Sequence, residues 1–154
     1  MASSVVTAVE SLEIVPSPIT VLIMDGSLSC RLASEYLAAE DFHLLHASAV
    51  TPAFEAVERY PGEIGFIVAD AGAPGAAGIR LAEVLARQDI YLPFLFVGSA
   101  AAMADLTAIE SLRDTNWRLL DAPFGRDHLF AVVNELLAPG VARHRHIRTL
   151  RIEP

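Results

Sequence analysis

Short apolar runs alternate with longer amphipathic segments through the central part of the chain. Each apolar run ends at small or acidic residues, as a strand does when it meets a loop. The predicted strands are Thr20–Met24, Phe42–Ala47, Ile64–Ala69, Phe94–Val97 and Trp117–Leu120. Several are apolar at consecutive positions, which is typical of parallel strands that helices cover on both faces.

The segments between these strands carry apolar residues at helical spacing. Leu28, Leu32 and Tyr36 recur at every fourth position after the first strand. The other helices are marked by Phe54 and Val57, by Ile79 to Ala86, by Met103, Leu106 and Ile109, and by Leu129 to Leu137. Five strand–helix units in strict alternation predict an α/β fold with a doubly wound five-stranded parallel sheet, a flavodoxin-like three-layer sandwich.

The chain of 154 residues has the usual length of one domain. We expect an N-terminal extension over residues 1–19, the α/β domain over 20–138, and a basic tail over 139–154 with four Arg and one Glu. Such a tail is either a solvated terminus or a segment that contacts the domain or a partner.

Composition excludes several classes of protein. Hydrophobic residues make up 53% of the chain and charged residues 19%, which is too apolar for a disordered protein. The formal charge of −8 argues against a nucleic-acid partner. A single cysteine excludes an intrachain disulfide and a Cys-rich zinc site. Lysine is absent, so all 11 positive side chains are arginines.

Signals for a membrane or for export are also weak. The longest uncharged run, Ile90–Ala104, is too short to cross a bilayer and contains Pro93 and Gly98. The first fifteen residues contain no Lys or Arg, so the charged start of a signal peptide is missing. We therefore expect a cytoplasmic protein with no membrane partner.

Candidate chemistry lies at the strand ends. Asp25, Asp70 and Ser99 each follow a predicted strand directly, and ligands bind outside the carboxyl ends of such strands. Two carboxylates at one edge suit Mg²⁺, and a carboxylate held there can be a nucleophile toward phosphorus. Spacing alone leaves open that these residues only end strands and cap helices.

The sequence resembles the receiver domains of two-component response regulators over about residues 20–137. The matching residues are Val21–Asp25, Asp70 to Gly78 with Pro74 in a D-x-x-x-P-x-x-x-G spacing, Val97–Ala100 and Ala122–Phe124. The resemblance implies a signalling protein whose aspartate accepts a phosphoryl group from a histidine kinase.

The resemblance assigns roles to five residues. Asp70 is the phosphoacceptor, and Ser99 and Ala100 bind the phosphoryl group. Mg²⁺ is held by Asp25, by Asp70 and by the backbone carbonyl of Gly72.

Three positions depart from the family pattern. Gly26 stands where the family has a direct metal ligand, and Ala122 stands where it has a lysine. Leu119 replaces the aromatic switch residue of the fifth strand. Phosphoryl transfer depends on positioning and charge stabilisation, so we expect weakened Mg²⁺ binding and phosphorylation slowed by orders of magnitude.

Two charged residues lie close to Ala122 in the sequence. Arg126 is in the first turn of the fifth helix and is a candidate substitute for the missing lysine; the alternative is a solvated arginine. Asp121 should point to the opposite face of the strand.

We expect a stand-alone, atypical receiver protein, not an enzyme, that acts by protein–protein contact with weak or no dependence on phosphorylation of Asp70. Its contact face, also plausible for a homodimer, is that of the fourth helix, fifth strand and fifth helix. One alternative is a conventional Mg²⁺-dependent phosphoacceptor. Another is a flavodoxin-like enzyme or nucleotide binder, although the glycines from Gly72 to Gly78 fit no Walker A pattern.

Overall fold

Five strands and five α-helices alternate along the chain in the computed structural model, which describes residues 18–71 and 77–138. The elements are β1 Thr20–Met24, α1 Leu28–Ala39, β2 His43–Ala47, α2 Val50–Arg59, β3 Ile64–Asp70, α3 Ala77–Arg87, β4 Phe94–Gly98, α4 Ala102–Thr107, a 3₁₀ helix Glu110–Leu112, β5 Trp117–Asp121 and α5 Arg126–Leu136.

The strands form one parallel sheet in the order β2-β1-β3-β4-β5. The predicted doubly wound parallel sheet is therefore confirmed. The order reverses at β1, because β2 pairs with one side of it and β3 with the other. In open sheets of this kind, ligands bind at the carboxyl ends of the strands next to such a reversal.

Each face of the sheet has its own buried core. Alternate residues such as Ile23 and Val68 pack with α1 and α5, whereas Leu22 and Ile67 pack with α2 and α3. All four are completely buried. Burial on both faces explains why the strands are apolar at consecutive positions instead of alternating with polar residues.

Gly78 allows α3 to approach the sheet closely. A Cβ atom at this position would lie 2.3 Å from the Cβ of Ala69 and 3.4 Å from the ring of Phe96. Close contact between α3 and β3 at this point therefore requires a glycine. This is the glycine of the D-x-x-x-P-x-x-x-G spacing.

The fourth helix is shorter than its apolar spacing predicts. Residues Met103, Leu106 and Ile109 suggested one continuous helix, but α4 ends at Thr107. Ile109 has extended backbone angles, φ −82° and ψ 120°, immediately before the 3₁₀ helix. The break lets Leu106 and Leu112, on either side of it, both be buried.

Several predictions fall outside the described residues. They concern most of the N-terminal extension, the basic tail, and the segment that contains Gly72, Pro74 and Gly75. None of the helices within residues 18–71 and 77–138 is long and apolar enough to span a bilayer.

Candidate functional site

Two carboxylates lie at the carboxyl edge of adjacent central strands. Asp70 is the last residue of β3, and Asp25 follows β1 directly. Parallel pairing continues past the strand ends, because Asp25 N donates to Ala47 O at 2.8 Å and Ala71 N donates to Val97 O at 2.8 Å. The backbone at both aspartates is thus held by neighbouring strands.

The charges of both carboxylates act on a buried thiol. Cys30 is in the first turn of α1 and has no exposed surface. Burial raises the pKa of the Cys30 thiol to about 11; a hydrogen bond with Ser27 opposes this, and the charges of Asp70 and Asp25 add to it. The group is therefore a neutral thiol at physiological pH, unsuited to act as a nucleophile.

Histidine 46, which sequence reasoning did not single out, contacts one of the two aspartates. Its Nδ1 lies 3.0 Å from Oδ1 of Asp25, and both side chains are about half exposed. His46 is near the end of β2, where register pairs it with Ile23 of β1. Only this strand pairing brings the imidazole beside a carboxylate 21 residues earlier.

The residues present fit a Mg²⁺ site only in part. Carboxylates such as Asp25 and Asp70 are the oxygen ligands that Mg²⁺ prefers. Gly26 contributes no side chain, although a Cβ atom there would meet nothing within 4 Å. Among residues 18–71 and 77–138, no group of three or more His, Cys, Asp or Glu side chains is placed to hold a metal ion.

Three consecutive amides from Ala100 to Ala102, between β4 and the start of α4, have acceptors within the chain. Ser99 Oγ accepts a hydrogen bond from Ala101 N at 3.1 Å, and Ser99 O accepts one from Ala102 N at 2.9 Å. Ala100 N donates to Oδ1 of Asp121 at 3.0 Å. Asp121, at the end of β5, therefore reaches the loop that follows β4.

Two of the departures from the family pattern lie on opposite faces at β5. Ala122 is partly buried against the core on the α1 and α5 side, and its backbone N donates to Gly98 O at 2.7 Å. Leu119 is partly buried against the other core, on the α2 and α3 side. An aliphatic side chain stands at both positions, so neither brings a charge or a polar tip.

The guanidinium of Arg126 is engaged with α1 and with its own helix. It pairs with Glu40 at the end of α1, and Nη1 lies 3.6 Å from Asp127. Its central carbon lies 5.1 Å from the centre of the Phe130 ring. The hydrogen bond with Glu40 raises the pKa of Arg126. The structure thus pairs Arg126, the candidate substitute for the lysine, with Glu40.

Comparison with solved structures identifies the same fold in receiver domains and response regulators. Chemotaxis protein CheY4 of Vibrio cholerae is 19% identical, with a TM-score of 0.63, and the match covers 78% of this chain and 99% of CheY4. A response regulator/sensory box/GGDEF protein of Carboxydothermus hydrogenoformans matches through its N-terminal domain, with 17% identity, a TM-score of 0.61, and coverage of 80% and 97%.

A third solved structure, from Chloroflexus aurantiacus and described as a response regulator, is 21% identical with a TM-score of 0.61. That match covers 79% of this chain and 98% of the other. No protein-family model matches the sequence, and no curated protein matches it significantly. The chain therefore has the receiver-domain fold that its sequence resemblance predicted.

Proposed function

We propose that this protein is an atypical receiver in two-component signal transduction, acting by contact with other proteins and not as an enzyme. Its output depends weakly or not at all on phosphorylation of Asp70. The observation that carries the proposal is the partly buried methyl group of Ala122 at the β5 edge, where the receiver pattern has a lysine. The receiver-domain fold of the solved neighbours supports the signalling role.

Electrostatics disfavour a phosphoryl group on Asp70. Such a group adds a charge of about −1.5 to −2 at pH 7. The edge already carries the carboxylates of Asp25 and Asp121, and the chain contains no lysine to offset the added charge. The guanidinium of Arg126 forms an ion pair with Glu40.

Mg²⁺ binding at this edge is also weakened. Asp25 and Asp70 would hold Mg²⁺, which supplies positive charge to the oxygens of a transferring phosphoryl group. Gly26 adds no ligand, and His46 already engages Asp25 at 3.0 Å. Phosphorylation that depends on this metal should be correspondingly slow.

The aromatic residue that would transmit a phosphorylation signal to β5 is also missing, because Leu119 stands at its position. Leu119 is aliphatic and is packed against the core beside Phe96 on the neighbouring strand. A hydrophobic side chain held in a core has no polar group that a change at Asp70 could recruit. The contact surface is therefore expected to be much the same with and without a modified Asp70.

Direct phosphorylation tests the proposal. The full chain is incubated with acetyl phosphate and Mg²⁺, and intact mass is followed beside the Asp70→Asn variant. Asp114→Asn, at an exposed position before β5, is the matched control. We expect little or no mass increase in all three proteins. A stoichiometric increase in the unaltered chain and in the control, abolished in Asp70→Asn, would contradict the proposal and favour a conventional phosphoacceptor.

We further propose that contact with a histidine kinase, another signalling protein or a second copy uses the face formed by α4, β5 and α5. Helix α4 has only six residues, two of which are alanines. Its Met103 is 47% exposed. Exposed apolar surface favours association with another protein.

Sedimentation velocity tests the homodimer part of this idea. Met103→Glu should dissociate a dimer that uses this face. Leu28→Glu is the matched control, because Leu28 is 76% exposed but lies at the start of α1. A monomeric unaltered chain, or equal effects of the two variants, would argue against the proposed face.

A further inference from the structure

The contact between Asp121 and Ala100 joins the end of β5 to the loop that follows β4. Oδ1 of Asp121 accepts the backbone N–H of Ala100 at 3.0 Å. Register places Asp121 opposite Gly98, so the carboxylate crosses from the end of β5 to the residue that lies two positions after Gly98. Both residues are exposed.

The next two amides along the chain also have acceptors. Ala101 N donates to the hydroxyl of Ser99, and Ala102 N donates to the Ser99 carbonyl. Asp121 thus completes a loop in which three consecutive N–H groups have acceptors within the chain. It is the acceptor that brings a negative charge.

We propose that Asp121 is a built-in anion that occupies the Ala100 amide and competes with a phosphoryl group for it. The inference rests on the proposed function and on the receiver resemblance, which implies that Ala100 binds a phosphoryl group on Asp70. The carboxylate holds the β4–α4 loop in one arrangement without any modification of Asp70. Asp121 is accordingly a positioning residue, which acts through the Ala100 amide.

Competition differs from simple charge repulsion in a way that two variants separate. Asp121→Asn removes the charge but keeps a side-chain oxygen that accepts a hydrogen bond. Asp121→Ala removes both the charge and the acceptor. Repulsion alone predicts the same result for the two variants, whereas occupation of the amide predicts a larger effect for Asp121→Ala.

The experiment combines amide NMR with titration of a phosphoryl mimic. Spectra of the full chain and both variants report on the Ala100 N–H, and beryllofluoride with Mg²⁺ is then added. In Asp121→Ala we expect an upfield shift of the Ala100 proton and faster hydrogen exchange. Beryllofluoride should bind most weakly to the unaltered chain, better to Asp121→Asn, and about tenfold better to Asp121→Ala than to the unaltered chain, as expected for loss of a charged hydrogen-bond partner.

Three results would overturn the inference. They are an Ala100 amide that is unchanged in Asp121→Ala, equal beryllofluoride affinities of the two variants, and equal affinities of Asp121→Ala and the unaltered chain. Failure of the proposed function has a different signature, namely efficient phosphorylation of Asp70 in the unaltered protein. The ranking of the three proteins by beryllofluoride affinity and the NMR signal of the Ala100 amide do not depend on that result.

Discussion

The imidazole of His46 lies 3.0 Å from the carboxylate of Asp25, across the paired strands β1 and β2. Asp25 is the one candidate metal ligand that follows β1, and a Mg²⁺ ion bound to its Oδ1 would compete with His46 for that oxygen. The pairing therefore links the edge strand of the sheet to the candidate site.

Replacement of His46 should strengthen metal binding. We expect His46→Ala to raise the Mg²⁺ affinity about fivefold, because a hydrogen bond of about 1 kcal/mol no longer competes with the metal. Isothermal titration calorimetry measures the affinity. His43→Ala is the control, since His43 contacts Thr20 at the other end of β2. An unchanged or lower affinity in His46→Ala would show that the histidine does not compete with the metal.

Restoring the two missing groups should restore phosphorylation. A chain with Gly26→Asp and Ala122→Lys regains a carboxylate and an ammonium, and the open space at Gly26 admits the new side chain. We expect labelling by acetyl phosphate to rise by at least about tenfold, because each positioned charge stabilises the transition state. Intact mass measures the labelling. Addition of Asp70→Asn must abolish the gain; labelling that persists would place the acceptor elsewhere.

Arg126 should be dispensable for this labelling. Its guanidinium pairs with Glu40 and lies over the Phe130 ring. Arg126→Ala, made in the background that carries Gly26→Asp and Ala122→Lys, should leave the labelling rate unchanged within error. A clear loss of labelling would mean that the arginine leaves Glu40 and serves the site.

Gly78→Ala should destabilise the fold. The new Cβ would lie 2.3 Å from the Cβ of Ala69, so α3 and β3 must move apart. Overpacking of this kind costs about 1–3 kcal/mol in the free energy of unfolding, which urea denaturation measures. Gly26→Ala is the control, because its Cβ meets nothing within 4 Å. Equal stabilities of the two variants would contradict the close helix–strand contact.

Cys30 should react slowly with iodoacetamide at pH 8, because burial raises the pKa of its thiol to about 11. The ordinary value is 9.0. Folding thus disfavours the thiolate, and the free energy of unfolding should fall as the pH rises from about 9 towards 11. In Cys30→Ala that part of the decline should be absent. Rapid alkylation of the folded protein, or identical pH profiles, would refute the buried thiol.

Local pattern was sufficient to predict the architecture. Continuous apolar runs such as Thr20–Met24 and Phe94–Val97 fit strands buried on both faces, and the structure has strands at those positions. The helical spacing between the runs then predicted a parallel sheet, since parallel strands need crossover connections. The same reasoning failed at Ile109, because periodicity does not report where a chain must turn to bury residues beyond a helix.

By itself, then, the sequence determined the alternation of strands and helices, the aspartates at the strand ends, and the absence of lysine. Only the tertiary structure decided which distant side chains meet: His46 with Asp25, Arg126 with Glu40, and Asp121 with the amide of Ala100. The physical reason is range. Strand and helix periods are set by neighbours a few residues apart, whereas these contacts depend on strand register and helix packing between segments 21 to 86 residues apart.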